Sequence, residues 1–188
     1  MSNALNSLLE QPQCGSHKCS VRLLCLGNEL LGDDALGSKV AAQFRRFALP
    51  DLDIVCTPET GLQLLDHVVN VNRLIVVDTV VTGSAPLGTI YELRDTAVPR
   101  VPGPSPHYVG LLETLAVARE LRLPAAKQVC ILAVEARGCL TIGQDMHPAI
   151  VAAIPDLIQM LRQRIGTKMV EFASCGEETT AIPIRNSP

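Results

Sequence analysis

Two neighbouring acidic residues follow the first apolar segment of the chain. Residues 21–26 are mostly apolar and predict a strand, and the turn Gly27-Asn28 leads from that strand to Asp33 and Asp34. In an open α/β sheet, ligands bind beyond the carboxyl ends of the strands, which is where this turn lies. Carboxylates at such a place can bind a divalent metal ion or transfer protons during hydrolysis.

A third acid and a histidine follow in positions that can meet the first two. Asp78 ends the apolar segment 73–77, and His107 follows a proline-rich loop. The sequence predicts that a helix starts here, with Ser105 as its N-cap and Pro106 at its first position. Because parallel strands end at one edge of a sheet, we expect these side chains to converge. Carboxylate oxygens with one imidazole nitrogen suit a divalent metal such as zinc or nickel.

Each of these residues also has a purely structural explanation. The helix dipole favours an acid in the first turn of a helix, which accounts for Asp33 and, less readily, for Asp34 one residue further on. Asp78 can begin a turn with Thr79, and His107 can cap the helix that it precedes. The residues by themselves leave both explanations open.

Other histidines and cysteines give weaker signals. Cys14, His17 and Cys19 are close in sequence, but a structural zinc site usually takes four ligands, so we expect an unstructured terminus there. His67 is expected to be a satisfied structural residue, and His147 to cap the last helix.

The composition excludes several classes of function. The chain has 188 residues, 47% of them apolar and only 3% aromatic, which predicts one domain with an aliphatic core. The net charge of −3 and the absence of a basic cluster argue against nucleic acid as a partner. No apolar run approaches the roughly 20 residues of a membrane span. We expect the seven cysteines to be reduced thiols and, since residues 1–20 do not resemble a signal peptide, a cytoplasmic protein.

Strands and helices alternate along the chain. Predicted strands cover residues 21–26, 52–56, 73–77, 89–93 and 127–134, and predicted helices start at residues 33, 60, 106 and 148. Such alternation requires crossover connections and predicts an α/β fold, a three-layer α/β/α sandwich with a mostly parallel twisted central sheet. We expect a flexible segment 1–20, a single domain over 21–165 and a mobile polar tail over 166–188.

The motifs together resemble those of the hydrogenase maturation endopeptidases. The resemblance extends over roughly residues 21–165. It rests on Leu26-Gly27-Asn28-x-Leu30-Leu31-x-Asp33-Asp34-x-x-Gly37, on Ile75-Val76-Val77-Asp78, and on Ser105-Pro106-His107 followed by Gly110-Leu111.

This resemblance implies an endopeptidase that trims the C-terminus of the nickel–iron hydrogenase large subunit. By position, it implies that Asp34, Asp78 and His107 are both the metal-binding and the catalytic residues, while Asp33 serves the helix start. The resemblance further implies that the metal is nickel carried by the substrate, not a permanently bound cofactor. Either the metal polarises the scissile carbonyl or a carboxylate activates a water molecule.

Two departures from the family pattern bear on this interpretation. Some relatives carry glutamate where this chain has Asp34, and many carry a glycine-rich turn where it has Thr57-Pro58-Glu59-Thr60-Gly61. The second departure affects which substrate is recognised more than which reaction occurs.

Two other functions fit the same residues. One is a zinc-dependent peptidase or amidohydrolase on this scaffold, and the other is a metal-dependent adaptor that binds the precursor without cutting it. The expected partner is the precursor of the hydrogenase large subunit, which the protein meets as a monomer.

Overall fold

A computed structural model describes residues 19–47, 52–94, 106–137, 142–166 and 183–184. For residues 19–20, 106–109 and 183–184 the description is of the backbone alone. The strands are β1 (Cys19–Leu26), β2 (Leu52–Thr57), β3 (Val71–Val80), β4 (Ile90–Arg94), β5 (Gln128–Glu135) and β6 (Pro183–Ile184). The helices are α1 (Leu36–Phe44), α2 (Leu65–Val68), α3 (Pro106–Glu120) and α4 (Pro148–Gly166), and short 3-10 helices, Gly32–Ala35 and Gly61–Leu64, lead into α1 and α2.

The strands form a single twisted sheet in the order β2-β1-β3-β5-β4-β6. β1, β2, β3 and β5 are parallel, whereas β4 is antiparallel to β5 and β6 is antiparallel to β4. Cys25 of β1 is paired in register with Cys56 of β2 and with Val77 of β3. The parallel strands therefore end together, and we call this end of the sheet the carboxyl edge.

Helices cover both faces of the sheet, which confirms the predicted three-layer architecture. On one face, α1 and α4 bury Phe44, Leu157 and other side chains against the sheet. On the other face, α2 and α3 bury Val68 and Leu111. Aliphatic side chains dominate both clusters, as the low aromatic content predicts.

The first predicted helix is shorter than its pattern suggests. We expected a helix from Asp33 up to Pro50, with Phe47 on its apolar face. Instead, residues 32–35 form a 3-10 helix, α1 ends at Phe44, and Phe47 is partly exposed. Beyond Arg45 the backbone hydrogen bonds change from the α-helical to the 3-10 type, as in those from Arg46 to Gln43 and from Phe47 to Phe44, and the apolar period of the sequence does not reveal this change.

The second predicted helix, over residues 60–69, is correct only in part: its first turn is a 3-10 helix, and of the predicted inner residues Leu65 and Val69 pack against the core whereas Leu62 does not. The structure has a 3-10 helix followed by the single turn α2. Leu64 and Val68 are the side chains buried there, and Leu62, which we placed on the apolar side, is exposed. A change of helix type shifts which positions point inward, and the apolar spacing alone does not reveal such a change.

Three further details concern the ends and the continuity of elements. β1 begins at Cys19, two residues before the predicted strand, and Pro183–Ile184 form a short strand that pairs with β4. Most of the expected flexible segment 1–20 and of the expected mobile tail 166–188 lies outside the described residues, so both stay predictions. From the sequence, Pro155 is expected to cause either a kink in the last helix or a break between two shorter helices; α4 continues through Pro155, so the break is wrong. No helix among the described residues is long and apolar enough to cross a membrane.

Two buried thiols should make the folded state sensitive to high pH. Burial raises the pKa of the Cys25 thiol, and it raises the pKa of Cys130 to about 12. Because the folded state holds these protons more tightly, the stabilisation is complete below the unfolded pKa of about 8.5 and is lost as the pH rises above it. Between pH 8 and 10 we expect the free energy of unfolding to fall by about 2 kcal/mol per thiol.

Urea unfolding of the wild type and of a Cys25→Ala/Cys130→Ala double variant at the two pH values measures this effect. The double variant should show a shallower decline. An equal decline in both proteins would mean that these thiols ionise as easily in the folded chain as in the unfolded one.

Candidate active site at the carboxyl edge

The turn after β1 is too tight for side chains at two glycine positions. Gly27 has a φ of +131°, and a Cβ there would overlap the backbone oxygen of Asp34. A Cβ at Gly37 would overlap the backbone oxygen of Leu26. The two close contacts fold the 3-10 helix back onto the end of β1, which places Asp34 directly at the carboxyl edge.

Asp34 is buried and held by hydrogen bonds from two different segments. Its Oδ2 accepts from the backbone N–H of Asn28 at 2.7 Å, and its Oδ1 accepts from the Thr79 hydroxyl at 3.3 Å. The first bond is local to the turn, and the second joins the 3-10 helix after β1 to β3. The carboxylate is thus fixed in orientation at the point where the two strands end.

Asp78 lies in β3, close to its carboxyl end. It is buried, and its Oδ1 accepts from the backbone N–H of Thr79 at 2.7 Å. The strand continues to Val80, so the alternative in which Asp78 begins a turn with Thr79 is wrong. A carboxylate inside a sheet is expensive to bury, which makes a purely structural turn residue a poor explanation for it.

Thr79 is a residue that the sequence did not single out for this site. Its backbone N–H bonds to Asp78, and its hydroxyl bonds to Asp34. One buried threonine therefore links the two acids. The sequence does show a polar β-branched residue next to an acid at a strand end, which could have indicated a role for Thr79 in the site. It does not show which distant side chain Thr79 contacts.

His107 is the second residue of α3, as the Ser-Pro-His motif predicts. α3 lies close to the segment after β2. The contact is so close that a Cβ at Gly110 would overlap the backbone of Gly61. The Thr114 hydroxyl lies 2.8 Å from the Gly61 oxygen and 2.6 Å from that of Gly110. These contacts bring the start of α3 to the carboxyl edge, while the His107 side chain and Ser105 lie outside what the structure describes.

The predicted metal ligands are therefore only partly described. Within the part of the chain that the structure describes, no three His, Cys, Asp or Glu side chains form a group that could hold a metal ion. Asp34 and Asp78 belong to that part, and the imidazole of His107 does not. The three-residue metal site stays a prediction.

Asp33 has a different role from the one expected. We expected it to support the start of its own helix, but its Oδ1 accepts from the backbone N–H of His147 at 2.7 Å and its Oδ2 from that of Arg137 at 3.3 Å. Asp33 thus fastens the segments on either side of residues 138–141 to the turn after β1. The partners lie more than 100 residues away in sequence, where no local pattern can reveal them.

Glu135 is a fourth buried acid, and no sequence pattern indicated it. Its Oε1 accepts from the backbone N–H groups of Thr82 and Gly83, and its Oε2 accepts from the hydroxyls of Thr82 and Tyr91. Four hydrogen bonds at 2.6–2.9 Å satisfy this carboxylate, which holds the segment between β3 and β4.

Two other histidines take the structural roles that were predicted for them. His67 Nε2 lies 2.7 Å from Glu59 Oε2, which ties α2 to the loop after β2. His147 Nδ1 accepts from the backbone N–H of Ala149 at 3.2 Å, a cap on α4. Of the Cys14, His17 and Cys19 group, only the Cys19 backbone is described.

The described cysteines are poor candidates for a catalytic nucleophile. Burial raises the pKa values of Cys25, Cys56 and Cys130, which keeps these thiols protonated near neutral pH. Since the thiolate is the reactive form, this environment suppresses nucleophilic attack.

Comparison with known proteins identifies the family. The sequence model of the hydrogenase maturation protease family matches residues 39–164. The matched region includes Asp78 and His107 and begins just after Asp34. The chain therefore belongs to the hydrogenase maturation protease family, and its predicted resemblance to that family is confirmed.

Individual relatives agree with this assignment. The hydrogenase 2 maturation protease of Escherichia coli strain K12 is 35% identical over 103 residues, which cover 53% of this chain and 63% of that protein. The hydrogenase expression/formation protein HupD of Bradyrhizobium diazoefficiens is 34% identical over 103 residues, which cover 52% of this chain and 53% of that protein. The chain thus spans less than two thirds of the length of either relative.

Solved structures show the same fold. The hydrogenase maturating endopeptidase HybD from Escherichia coli superposes with a TM-score of 0.67 and 22% identity, over 79% of this chain and 94% of that one. An endopeptidase from Escherichia coli solved in solution gives a TM-score of 0.64 and 27% identity, over 77% of this chain and 94% of that one.

The position of Asp33 generates a prediction about stability. In Asp33→Asn, the side-chain NH₂ group replaces one of two acceptors, so the N–H of His147 or Arg137 loses its bond. We expect a loss of about 1–3 kcal/mol in the free energy of unfolding, measured by urea denaturation, and faster amide hydrogen exchange at these two residues. Asp156→Asn, a change of the same chemistry at an exposed position of α4, is the control and should shift stability by less than about 0.5 kcal/mol. Equal losses in both variants would contradict the role of Asp33.

Proposed function

We propose that this chain is an endopeptidase that removes the C-terminal extension of the nickel-loaded large-subunit precursor of a nickel–iron hydrogenase. Family membership supports the reaction class, and the relatives of similar sequence are a hydrogenase 2 maturation protease and a hydrogenase expression/formation protein. The observation that carries the proposal is the pair of buried acids, Asp34 and Asp78, linked through Thr79 at the carboxyl edge.

The two acids and His107 bind the nickel ion of the substrate in this proposal. Carboxylate and imidazole are suitable ligands for such a borderline divalent ion. Asp34 is oriented by Asn28 and Thr79, and Asp78 by Thr79, so both carboxylates are held in place before substrate arrives. This preorganisation fixes the scissile peptide relative to the metal that the substrate carries.

The reaction itself is hydrolysis: a water oxygen attacks the carbonyl carbon, the C–N bond breaks, and the new amine takes a proton. The nickel ion can polarise the carbonyl oxygen, or a carboxylate can accept the proton of the attacking water. Both routes use Asp34, Asp78 and His107. In either case the protein acts on a protein substrate as a monomer in the cytoplasm.

The decisive experiment incubates the purified protein with the large-subunit precursor, with and without nickel, and follows the precursor by mass spectrometry. We expect the mass of the C-terminal extension to disappear only from the nickel-loaded precursor, because nickel bound by the substrate is what the acids recognise. The purified protease should contain little metal of its own.

Other outcomes of this experiment favour the other functions. Stoichiometric zinc in the purified protein, with hydrolysis of short peptides, would identify a zinc-dependent peptidase or amidohydrolase. Binding of an intact precursor that is never cut, with or without nickel, would identify an adaptor. Either result would overturn the proposal.

Substitutions at the site test the assignment of residues. Asp34→Asn, Asp78→Asn and His107→Ala should each lower the cleavage rate by about two orders of magnitude or more, because each removes a ligand or proton acceptor. Asp156→Asn should cleave at the wild-type rate. Circular dichroism and thermal unfolding confirm that each variant is folded. Wild-type rates in folded Asp78→Asn and His107→Ala would refute the site.

A further inference from the structure

Three large apolar side chains are exposed around the candidate active site. Leu30 is 61% exposed, Leu62 is 63% exposed and Ile142 is 77% exposed. They lie on the segments that follow β1, β2 and β5, all of which end at the carboxyl edge. A single exposed leucine needs no explanation, but apolar side chains gathered at one edge mark an interaction surface. We call these three residues the apolar rim.

Hydrogen bonds connect Leu30 to Asp34. The backbone N–H of Leu30 donates to the Asn28 side-chain oxygen at 3.0 Å, and the backbone N–H of Asn28 donates to Asp34 at 2.7 Å. The same turn that orients the proposed metal ligand therefore also presents Leu30 to solvent.

Ile142 is brought to the same place by a contact between loops. The backbone N–H of Gly143 donates to the Leu30 oxygen at 2.9 Å. The hydrogen bonds from Arg137 and His147 to Asp33 anchor the two flanks of this loop. Ile142 and Leu30 thus lie on segments in direct contact.

Leu62 marks the other end of the rim. It follows Gly61, whose backbone lies against Gly110 of α3. Gly110 is three residues, or about one helical turn, after His107. Leu62 is therefore next to the element that carries the third proposed ligand.

The width of the sheet at the carboxyl edge fits a short extended peptide. Between β2 and β5 lie three strand spacings in the sheet order, or about 14 Å at about 4.8 Å per spacing. An extended chain covers that distance in four or five residues at about 3.3 Å each. A peptide that crosses the edge would pass over the proposed metal ligands.

The charges beside the rim limit the chemistry of that peptide. Glu29 is exposed next to Leu30, and Asp145 is exposed three residues after Ile142, whereas Arg137 is the exposed cation on the same segments. These two exposed acids outnumber the one exposed cation, while the charges of the buried Asp34 and Asp78 are offset by the nickel ion in the proposed function. An acidic peptide would be repelled here.

We propose that the apolar rim docks the segment of the substrate next to the scissile bond, and that this segment is extended, apolar and free of acidic residues. This assignment rests on the proposed function and adds the determinants that bind the peptide. Leu30, Leu62 and Ile142 supply binding contacts and take no part in bond breaking.

The test compares rim variants with a matched control. Leu30→Ser, Leu62→Ser and Ile142→Ser each remove one exposed apolar side chain. Leu121→Ser removes a leucine of similar exposure, 62%, just beyond the far end of α3. Precursor binding by biolayer interferometry and cleavage kinetics are measured on the same preparations, with nickel-loaded precursor.

Each rim variant should raise both Kd and KM by roughly tenfold and leave kcat within about twofold, since the lost contacts bind the peptide without touching the reacting atoms. The control should match the wild type. Replacing one apolar residue beside the scissile bond of the precursor by aspartate should weaken binding in the same way.

The results separate the two proposals. If the wild type cleaves the precursor but rim variants bind it as the control does, the docking role is wrong while the endopeptidase stands. If the wild type binds the precursor without cutting it, the endopeptidase is wrong, and weakened binding in the rim variants still supports the docking surface.

Discussion

The close contact between the end of β1 and the turn that follows it is the constraint on which the site depends. Neither Gly27 nor Gly37 has room for a Cβ, because the backbone oxygens of Asp34 and Leu26 occupy that space. Any side chain at these positions would push the 3-10 helix away from the sheet. Asp34 would then lose its hydrogen bonds to the backbone of Asn28 and to the hydroxyl of Thr79. Thr79 would no longer link Asp34 to Asp78.

The four buried acids show two different uses of a buried carboxylate group. Asp33 and Glu135 accept backbone N–H groups from distant segments and hold those segments in place. Asp34 and Asp78 are instead tied to one threonine at the junction of two parallel strands. Burying a carboxylate is costly unless hydrogen bonds compensate for the lost hydration. In Asp33 and Glu135 these hydrogen bonds also hold distant segments together, so the role of both residues is structural. The second pair lies where ligands bind in this class of sheet.

Most of the fold could be predicted because parallel, buried strands have a strong local signature. The apolar segments before Gly27 and Asp78 gave the correct strands, and the position of His107 at the start of α3 followed from Ser-Pro. Both 3-10 helices were missed, since their spacing of buried residues differs little from that of an α-helix over one turn. This error placed Leu62 in the core, although it is exposed on the apolar rim.

The contacts of the site could be predicted only in part, because they join residues that are far apart in sequence. Parallel strand order implied that Asp34 and Asp78 share an edge, and the register between β1 and β3 agrees with it. That Thr79 links them, and that Asp33 bonds to Arg137 and His147, depends on side-chain directions that no spacing rule encodes.

The structure also gives a physical reason why aspartate, and not the longer glutamate, fits at position 34. Both oxygens of Asp34 are engaged close to the backbone, one by Asn28 of the same turn and one by Thr79 of β3. An additional methylene would move the carboxylate outward by about 1.5 Å, out of reach of a short threonine side chain anchored in the neighbouring strand. The length of the acid and the presence of Thr79 are therefore coupled. In this chain the acid is short because its partner holds it against the end of the sheet.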